Sequence, residues 1–318
     1  MAKKPPNSTD RVGGWASMEN EGSSIGLPGG CPLPSTPIIE QAAGGLPKVL
    51  KARYYFWMTP PTGTSNVPNL DVNSVRRLAA IDVIISMDDS NHLGILLSTR
   101  NRQQLNRRDG VLKSLEDILK ANDNTIKIDR SDSHLELCDT DIFLWLTVQR
   151  RDKPQIAPDL RLDKVSGISG KDASARTADL RAGVDFDRPN FLTAVAEADT
   201  LGPIDISFVQ DENGSLCTFR VQVHLDGGFA IRKSDVHIPG ITDDRQLMET
   251  ASLRLAFELI PRLNGLYVSD AADWETRRLE VIQSAMTELE SRYRAAREAL
   301  LERIVNSPEA IDDGENAD

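Results

Sequence analysis

The feature that most constrains the fold is a heptad repeat of apolar residues near the C-terminus. In the stretch LEVIQSAMTELESRYRAAREALLERI, which begins at residue 279, apolar side chains recur at alternating spacings of three and four residues. The members of this seam are Leu279, Ile282, Met286, Leu289, Tyr293, Ala296 and Leu300. Charged neighbours such as Glu288 and Arg294 keep the other faces of the helix in water. The repeat predicts an amphipathic helix over residues 269–305.

Such a seam needs something to cover it, and two kinds of partner fit. Another chain, either a second copy or a different protein, would produce self-association or docking through residues 279–300. An antiparallel helix of the same fold would instead cover the seam within the chain, and three heptads do not exclude this arrangement. Of these two alternatives, we favour the intermolecular partner.

The net charge of −11 is concentrated at the same end of the chain. Residues 270–318 carry 13 acids and 6 bases, and residues 306–318 are predicted to form an acidic, disordered tail. An acidic total disfavours bulk nucleic-acid binding, although a local basic face remains compatible with it.

Residues 1–46 are rich in Gly, Pro, Ser and Asn and have no sustained apolar period, which predicts a disordered N-terminal arm. No apolar stretch follows the N-terminal lysines, so a secretory signal is not expected. No run of 18 apolar residues occurs, so no membrane span is predicted. Three scattered cysteines are typical of reduced thiols. Together these features predict a soluble cytoplasmic protein.

Residues 47–151 are predicted to form an N-terminal α+β lobe. Its first strand is KVLKARYYFWM at 48–58, and the second half of 101–122 has helical spacing. TIKID and the stretch LCDTDIFLWLTVQRRDK, residues 137–153, are both interpreted as strands. The polar segment 152–188 is predicted to be a linker or a long surface loop.

Residues 189–268 are predicted to form a second lobe, a β-meander with helices. ISFVQ and LCTFRVQVHL flank an Asn-Gly pair, the strongest short signal for a hairpin, and the turn LDGGF leads into a third strand. A helix is expected over 191–198 and another over 242–260, ended by Pro261. The predicted fold class is therefore α+β, with antiparallel hairpins backed by helices and a long C-terminal amphipathic helix.

The stretch at 137–153 raises the question of a nuclease, because two acids precede a Q-x-R sequence that together could surround a magnesium ion. In a strand, Asp141 and Gln149 would lie about 26 Å apart, whereas a magnesium ion holds its ligands at roughly 2.1 Å. The few histidines and cysteines show no zinc-ligand spacing such as C-x-x-C. The sequence therefore predicts no metal and no cofactor.

The most basic segment is RNRQQLNRRDG. Its candidate contacts to nucleic acid, with one lysine that follows, are Arg100, Arg102, Arg107, Arg108 and Lys113. Amide side chains between the arginines suit phosphate contacts, but aromatic residues that could stack on bases are absent. A solvated helix face explains the same charges.

The sequence thus favours a non-catalytic assembly, adaptor or structural protein that acts through its C-terminal helix. The alternative is a nucleic-acid-associated protein, with or without nuclease activity, that uses the basic segment.

Overall fold

A computed structural model describes most of the chain and confirms the α+β class, with two antiparallel sheets and a long C-terminal helix. The described residues are 1, 4–7, 10–18, 35–42, 46–58, 67–71, 75–87, 93–129, 133–172, 177–181 and 189–306. The chain divides into two compact units. Unit 1 comprises Met1–His134 and Leu253–Leu259, and unit 2 comprises Leu135–Ser252 and Ile260–Asp318.

Unit 1 is built on a five-stranded antiparallel sheet in the order β1-β3-β4-β5, with β2 also paired to β3. The strands are β1 (Gly14–Ala16), β2 (Ile38–Glu40), β3 (Val49–Trp57), β4 (Leu78–Met87) and β5 (Leu93–Leu97). Two helices follow, the short α1 (Arg102–Leu105) and α2 (Val111–Asn122). The first strand and the helix in the second half of 101–122 were predicted, and the structure confirms both.

The core of unit 1 lies between one face of the sheet and α2. Alternate residues of β3, including Tyr54 and Phe56, pack with Ile81 of β4 and Leu115 of α2, as expected for a strand with one buried face. Burial raises the pKa of Tyr54 to about 12, and its hydroxyl donates to the Asp109 carbonyl at 2.7 Å.

Within the N-terminal arm predicted for residues 1–46, the structure describes the strand β1. β1 pairs with β3, and Trp15 is fully buried, with its indole nitrogen 2.8 Å from Ser114 Oγ. A Cβ on Gly14 would lie 2.3 Å from the backbone of Pro5, so only glycine fits there. One aromatic anchor supplies the burial that the low apolar density concealed. Residues 19–34 lie outside the described part.

Unit 2 is built on a six-stranded antiparallel sheet in the order β11-β10-β9-β7-β6, with β8 also paired to β7. The strands are β6 (Gln155–Ala157), β7 (Leu160–Asp172), β8 (Thr177–Arg181), β9 (Ala198–Glu212), β10 (Ser215–Val223) and β11 (Phe229–His237). The helices are α3 (Asp141–Asp152), α4 (Pro189–Glu197), α5 (Asp244–Arg254), α6 (Ile260–Ser269) and α7 (Ala271–Asn306). No described helix is both long enough and apolar enough to cross a membrane.

The predicted hairpin is confirmed as β9 and β10, joined by a two-residue turn. Asn213 and Gly214 both have positive φ, at 54° and 86°, as a type I′ turn requires. The third strand of the predicted meander is β11, which pairs with β10. The short helix expected at 191–198 is confirmed as α4.

The linker or loop predicted for 152–188 instead contributes β6, β7 and β8 to the sheet of unit 2. The pairing of β7 with β9 shifts register between Leu162 and Lys164, and again between Val165 and Gly167. Each irregularity moves the buried side chains out of strict alternation, which is why the period-two signal of a strand was lost. Residues 173–176 and 182–188 lie outside the described part.

The strand predicted for residues 137–153 is wrong, because most of this stretch forms helix α3. Every side chain from Ile142 to Gln149 is buried, and a helix buried on all sides shows no polar face to reveal its period. Asp139 accepts a hydrogen bond from the backbone of Asp141 at 2.9 Å where the helix begins. The predicted strand TIKID is also irregular in the structure.

Pro261 does not end the helix predicted for 242–260. A π-helical turn, Leu255–Leu259, joins α5 to α6, and α6 continues to Ser269. Wider turns of this kind let a helix pass a residue that lacks a backbone donor. The predicted helix at 269–305 is confirmed as α7, and residues 307–318, most of the predicted acidic tail, lie outside the described part.

Replacing Trp15 by alanine should lower the free energy of unfolding by about 3–5 kcal/mol, because it leaves a cavity beneath β3. Trp15→Phe keeps the apolar ring and loses the bond to Ser114, so its cost should be about 1 kcal/mol. Urea unfolding of both variants measures this order. Equal stability of the Trp15→Ala variant and the native chain would show that the N-terminal strand is not docked.

Candidate interaction surface on the C-terminal helix

The base of α7 is fixed by a carboxylate that accepts hydrogen bonds from three side chains. Asp270, between α6 and α7, receives the Trp145 indole N–H at 2.6 Å and the Gln149 amide at 3.1 Å, both from α3. Arg277, one turn into α7, pairs with the same Oδ2 atom. The Asp270 side chain is 25% exposed, so these charge-assisted bonds form partly out of water, where they are strong.

Two further acids at the start of α3 extend this network. The Tyr267 hydroxyl lies 2.8 Å from Asp139 Oδ1, and Arg278 Nε lies 2.6 Å from Asp141 Oδ2. Burial raises the pKa of Tyr267, and the hydrogen bond to Asp139 raises it further. Trp145 meets the Tyr267 ring edge-on, at 5.7 Å between centroids. The junction of α6 and α7 is therefore tied to α3 by polar and aromatic contacts.

This geometry answers the question raised by Asp139, Asp141 and Gln149. On a helix, Asp141 and Gln149 are about 12 Å apart along the axis, still too far to share a magnesium ion. Each of the three side chains instead binds the α6–α7 junction. Among the described residues, no cluster of three or more His, Cys, Asp or Glu side chains could hold a metal ion. The acids of this segment therefore stabilise the contact between α3 and the α6–α7 junction.

The face of α7 that packs within unit 2 is defined by buried and half-buried side chains. Trp274 and Ala285 are buried, and Val281 and Arg292 are half-buried. At about 100° per residue, these four positions fall within roughly 40° of one another on the helix. Helix α4 packs against α7. The first half of α7 thus has an ordinary inner face.

A second apolar face runs along α7 and stays in water. We call it the apolar stripe, and its exposed side chains are Leu279, Met286, Tyr293, Leu300, Leu301 and Ile304. Their exposed fractions range from 49% for Met286 to 70% for Tyr293. Apart from Leu301, which lies at its edge, the stripe is centred about 110° from the inner face, so unit 2 does not bury it.

From Tyr293 to Ile304, the distal positions whose side chains the structure describes, the helix has no buried side. Every side chain from Tyr293 to Ile304 is exposed, over a length of about 18 Å. Four of the six exposed apolar side chains, Tyr293, Leu300, Leu301 and Ile304, lie in this distal part. Exposed apolar groups concentrated in one element are typical of an interaction site.

The predicted seam of seven residues is split by the structure. Leu279, Met286, Tyr293 and Leu300, spaced seven apart, belong to the stripe, and Ala296 is also exposed. Ile282 and Leu289 are half-buried. The sequence analysis missed Leu301 and Ile304 because neither fits the heptad repeat. The spacing of four residues between Leu300 and Ile304 nevertheless places Ile304 on the same face as Leu300.

The predicted basic segment is partly neutralised by its own surroundings in unit 1. Arg107 forms a two-pronged pair with Asp109 at 3.0 and 3.1 Å, donates to the Trp57 carbonyl and lies over the Phe56 ring. Its hydrogen bond lowers the pKa of Asp109. Lys113 pairs with Asp117 at 2.6 Å.

The other three predicted contacts, Arg100, Arg102 and Arg108, are exposed. The structure therefore turns Arg107 and Lys113 towards carboxylates of the same unit and leaves a smaller exposed cluster than the sequence suggested.

A polar cleft of about 390 Å³ lies on the outer face of the sheet in unit 2. Arg220 stands opposite a bulge in β11, and Arg232, Asp205 and Asp235 also line the cleft. Two positive and two negative side chains cancel, so the charge of the cleft selects neither an anion nor a cation. The apolar stripe is the more informative surface.

Comparison with known proteins adds no function to this geometry. The chain matches no protein-family profile, and a search of curated proteins finds no match.

Replacing Asp270 by alanine should lower the free energy of unfolding of unit 2 by about 3–5 kcal/mol. The substitution removes the acceptor of Arg277 and of two neutral donors, the Trp145 indole and the Gln149 amide. Glu280→Gln is the matched control, since Glu280 is an exposed acid on the same helix, and its effect should stay within about 0.5 kcal/mol. Urea unfolding reports both. Similar stabilities for the two variants would contradict the role of the network.

The raised pKa of Tyr267 predicts a pH dependence. Its hydroxyl stays protonated in the folded chain at pH values where the unfolded chain ionises, so its stabilising contribution is present below pH 10 and is lost as the pH rises above that value. Compared with a Tyr267→Phe variant, the native chain should lose its advantage in unfolding free energy above pH 10. A constant difference from pH 8 to about 11 would contradict the assignment.

Proposed function

We propose that this chain is a non-catalytic assembly protein that associates with a second copy of itself through the apolar stripe of α7. The observation that carries the proposal is the set of four large apolar side chains, Leu279 to Leu300, that repeat every seven residues and are all exposed. A heptad repeat of this kind suits packing against another helix.

The anchoring of α7 supports a binding role. The Asp270 network and the buried Trp274 fix the first turns of the helix to unit 2. The distal half is then already helical before it meets a partner, because a long helix does not have to nucleate again. A preorganised surface loses little entropy on binding.

The charges that flank the stripe favour a second copy over a partner of one charge sign. The distal half of α7 carries four acidic and four basic side chains in short groups; they are Glu288, Glu290, Arg292, Arg294, Arg297, Glu298, Glu302 and Arg303. A surface that carries both signs can complement itself, which a two-fold symmetric interface requires. A partner with only negative charge would be repelled by the acidic side chains, and a partner with only positive charge by the basic ones.

The alternative function is contact with nucleic acid by the basic segment of unit 1. Exposed Arg100, Arg102 and Arg108 support it, whereas the pairing of Arg107 and Lys113 with carboxylates weakens it. Phosphate contacts would make the affinity for DNA or RNA fall steeply with salt. An affinity that is undetectable at low salt would remove this alternative.

Aspartate in place of Met286 and Leu300 should convert the native oligomer to a monomer, because each buried carboxylate would face an apolar partner. Light scattering after size exclusion gives the mass of the native chain and of the double variant. Ser291→Asp is the control: it adds an aspartate to an exposed position of the same helix, away from the stripe, and should leave the mass unchanged.

A native chain that remains a monomer at the highest measurable concentration would contradict self-association. Equal masses for the native oligomer and the double variant would place the interface elsewhere.

A further inference from the structure

The order of charges along the stripe defines how two copies would be oriented. Each heptad places one residue four positions after the apolar one, on the same side of the helix. In the stripe these intervening residues are Gln283, Glu290, Arg297 and Ile304. The two charged members have opposite signs and are separated by one heptad.

In a parallel pair, each residue lies beside its own copy. Glu290 would then face Glu290, and Arg297 would face Arg297. In a parallel coiled coil, the side chains that flank the apolar seam contact the residue five positions later on the second helix. This contact places Arg292 next to Arg297 of the second copy, and the two positive charges repel. Both parallel arrangements bring like charges together.

In an antiparallel pair with its two-fold axis between Tyr293 and Arg294, the same residues complement one another. Glu290 faces Arg297 of the second copy, and this contact occurs twice by symmetry. Met286 then faces the Leu300–Leu301 pair, and Gln283 faces Ile304. The two Tyr293 rings meet at the centre. Four of the six apolar groups of the stripe, Met286, Tyr293, Leu300 and Leu301, therefore gain an apolar neighbour.

The antiparallel arrangement also fits the exposure of α7. The distal part, exposed from Tyr293 to Ile304, would lie along the proximal stripe of the second copy. The inner face near Trp274 and Ala285 points about 110° away from the stripe, so the helix of the second copy and the body of unit 2 occupy different sides. The contact would be about 33 Å long.

We infer that two copies of this chain pair through antiparallel α7 helices centred at Tyr293, with Glu290 of each bound to Arg297 of the other. The inference rests on the proposed self-association and adds its orientation and register.

Cysteine cross-linking tests the orientation. The background is the full chain with Cys31 and Cys138 changed to serine, which leaves the buried Cys217. A mixture of Met286→Cys and Leu300→Cys chains should form disulfide-linked dimers under mild oxidation, whereas Leu300→Cys alone should not. In the antiparallel pair two residues 300 lie about 20 Å apart along the helix, beyond the roughly 7 Å limit between Cα atoms in a disulfide.

Ser291→Cys, exposed and away from the stripe, is the control for random collision and should not cross-link. Self-linking of Leu300→Cys alone, with no disulfide between residues 286 and 300 in the mixture, would establish a parallel pair and overturn the inference while self-association stands. Failure of self-association itself is recognised separately, because the mass of the uncross-linked native chain would then be that of a monomer.

Charge reversal gives an independent readout. Arg297→Glu should raise the dimer dissociation constant about tenfold or more in the antiparallel pair, because Glu290 then faces a glutamate. Adding Glu290→Arg to that variant should restore the native constant. In a heptad-paired parallel dimer, Arg297→Glu would instead strengthen association by meeting Arg292, and that result would contradict the proposed orientation.

Discussion

The carboxylate of Asp270 is the interaction on which the placement of the C-terminal helix in unit 2 depends. It joins two residues of the buried helix α3 to the first turns of α7. Tyr267 and Arg278 add contacts to the acids that precede and begin α3. A carboxylate in this position satisfies buried donors that would otherwise cost free energy, and it sets where the longest helix starts.

Because the base of α7 is fixed to unit 2, the face of the helix that remains exposed is fixed as well. Trp274 and Ala285 lie on the face of α7 that packs within unit 2. The apolar stripe lies about 110° around the helix from that face and is exposed to solvent. Single exposed apolar side chains are common on protein surfaces. Four at intervals of seven residues, followed by Leu301 and Ile304, form a continuous surface on an ordered helix, and continuous apolar surfaces of this kind are typical of interaction sites.

The parts that sequence reasoning predicted correctly are those with strong local signals. Asn213 and Gly214 specify their turn through positive φ, and the heptad spacing specifies a helix nearly to its ends. The errors arise where tertiary structure overrides local pattern. α3 is buried on every side and so has no visible period, and the register shifts of β7 disguise a strand as a polar loop.

The candidate site was predicted in part for the same reason. The sequence identifies the residues of the seam, but it does not show which of them unit 2 covers, because that depends on how α7 packs in the fold. The acids at 139 and 141 illustrate the converse: their partners, Tyr267 and Arg278, lie more than a hundred residues away, and no local pattern links them.

The central claim, that the distal half of α7 is an interface, is tested most directly by hydrogen exchange of its backbone amides as a function of protein concentration. In a lone chain, the side chains of residues 293–304 are exposed on all sides, so their amides are protected only by the helix itself and should exchange faster than those of the sheet of unit 2. The account predicts that their protection rises with concentration, together with that of residues near Met286, while the sheet of unit 2 is unchanged. Rapid exchange at every concentration would contradict it.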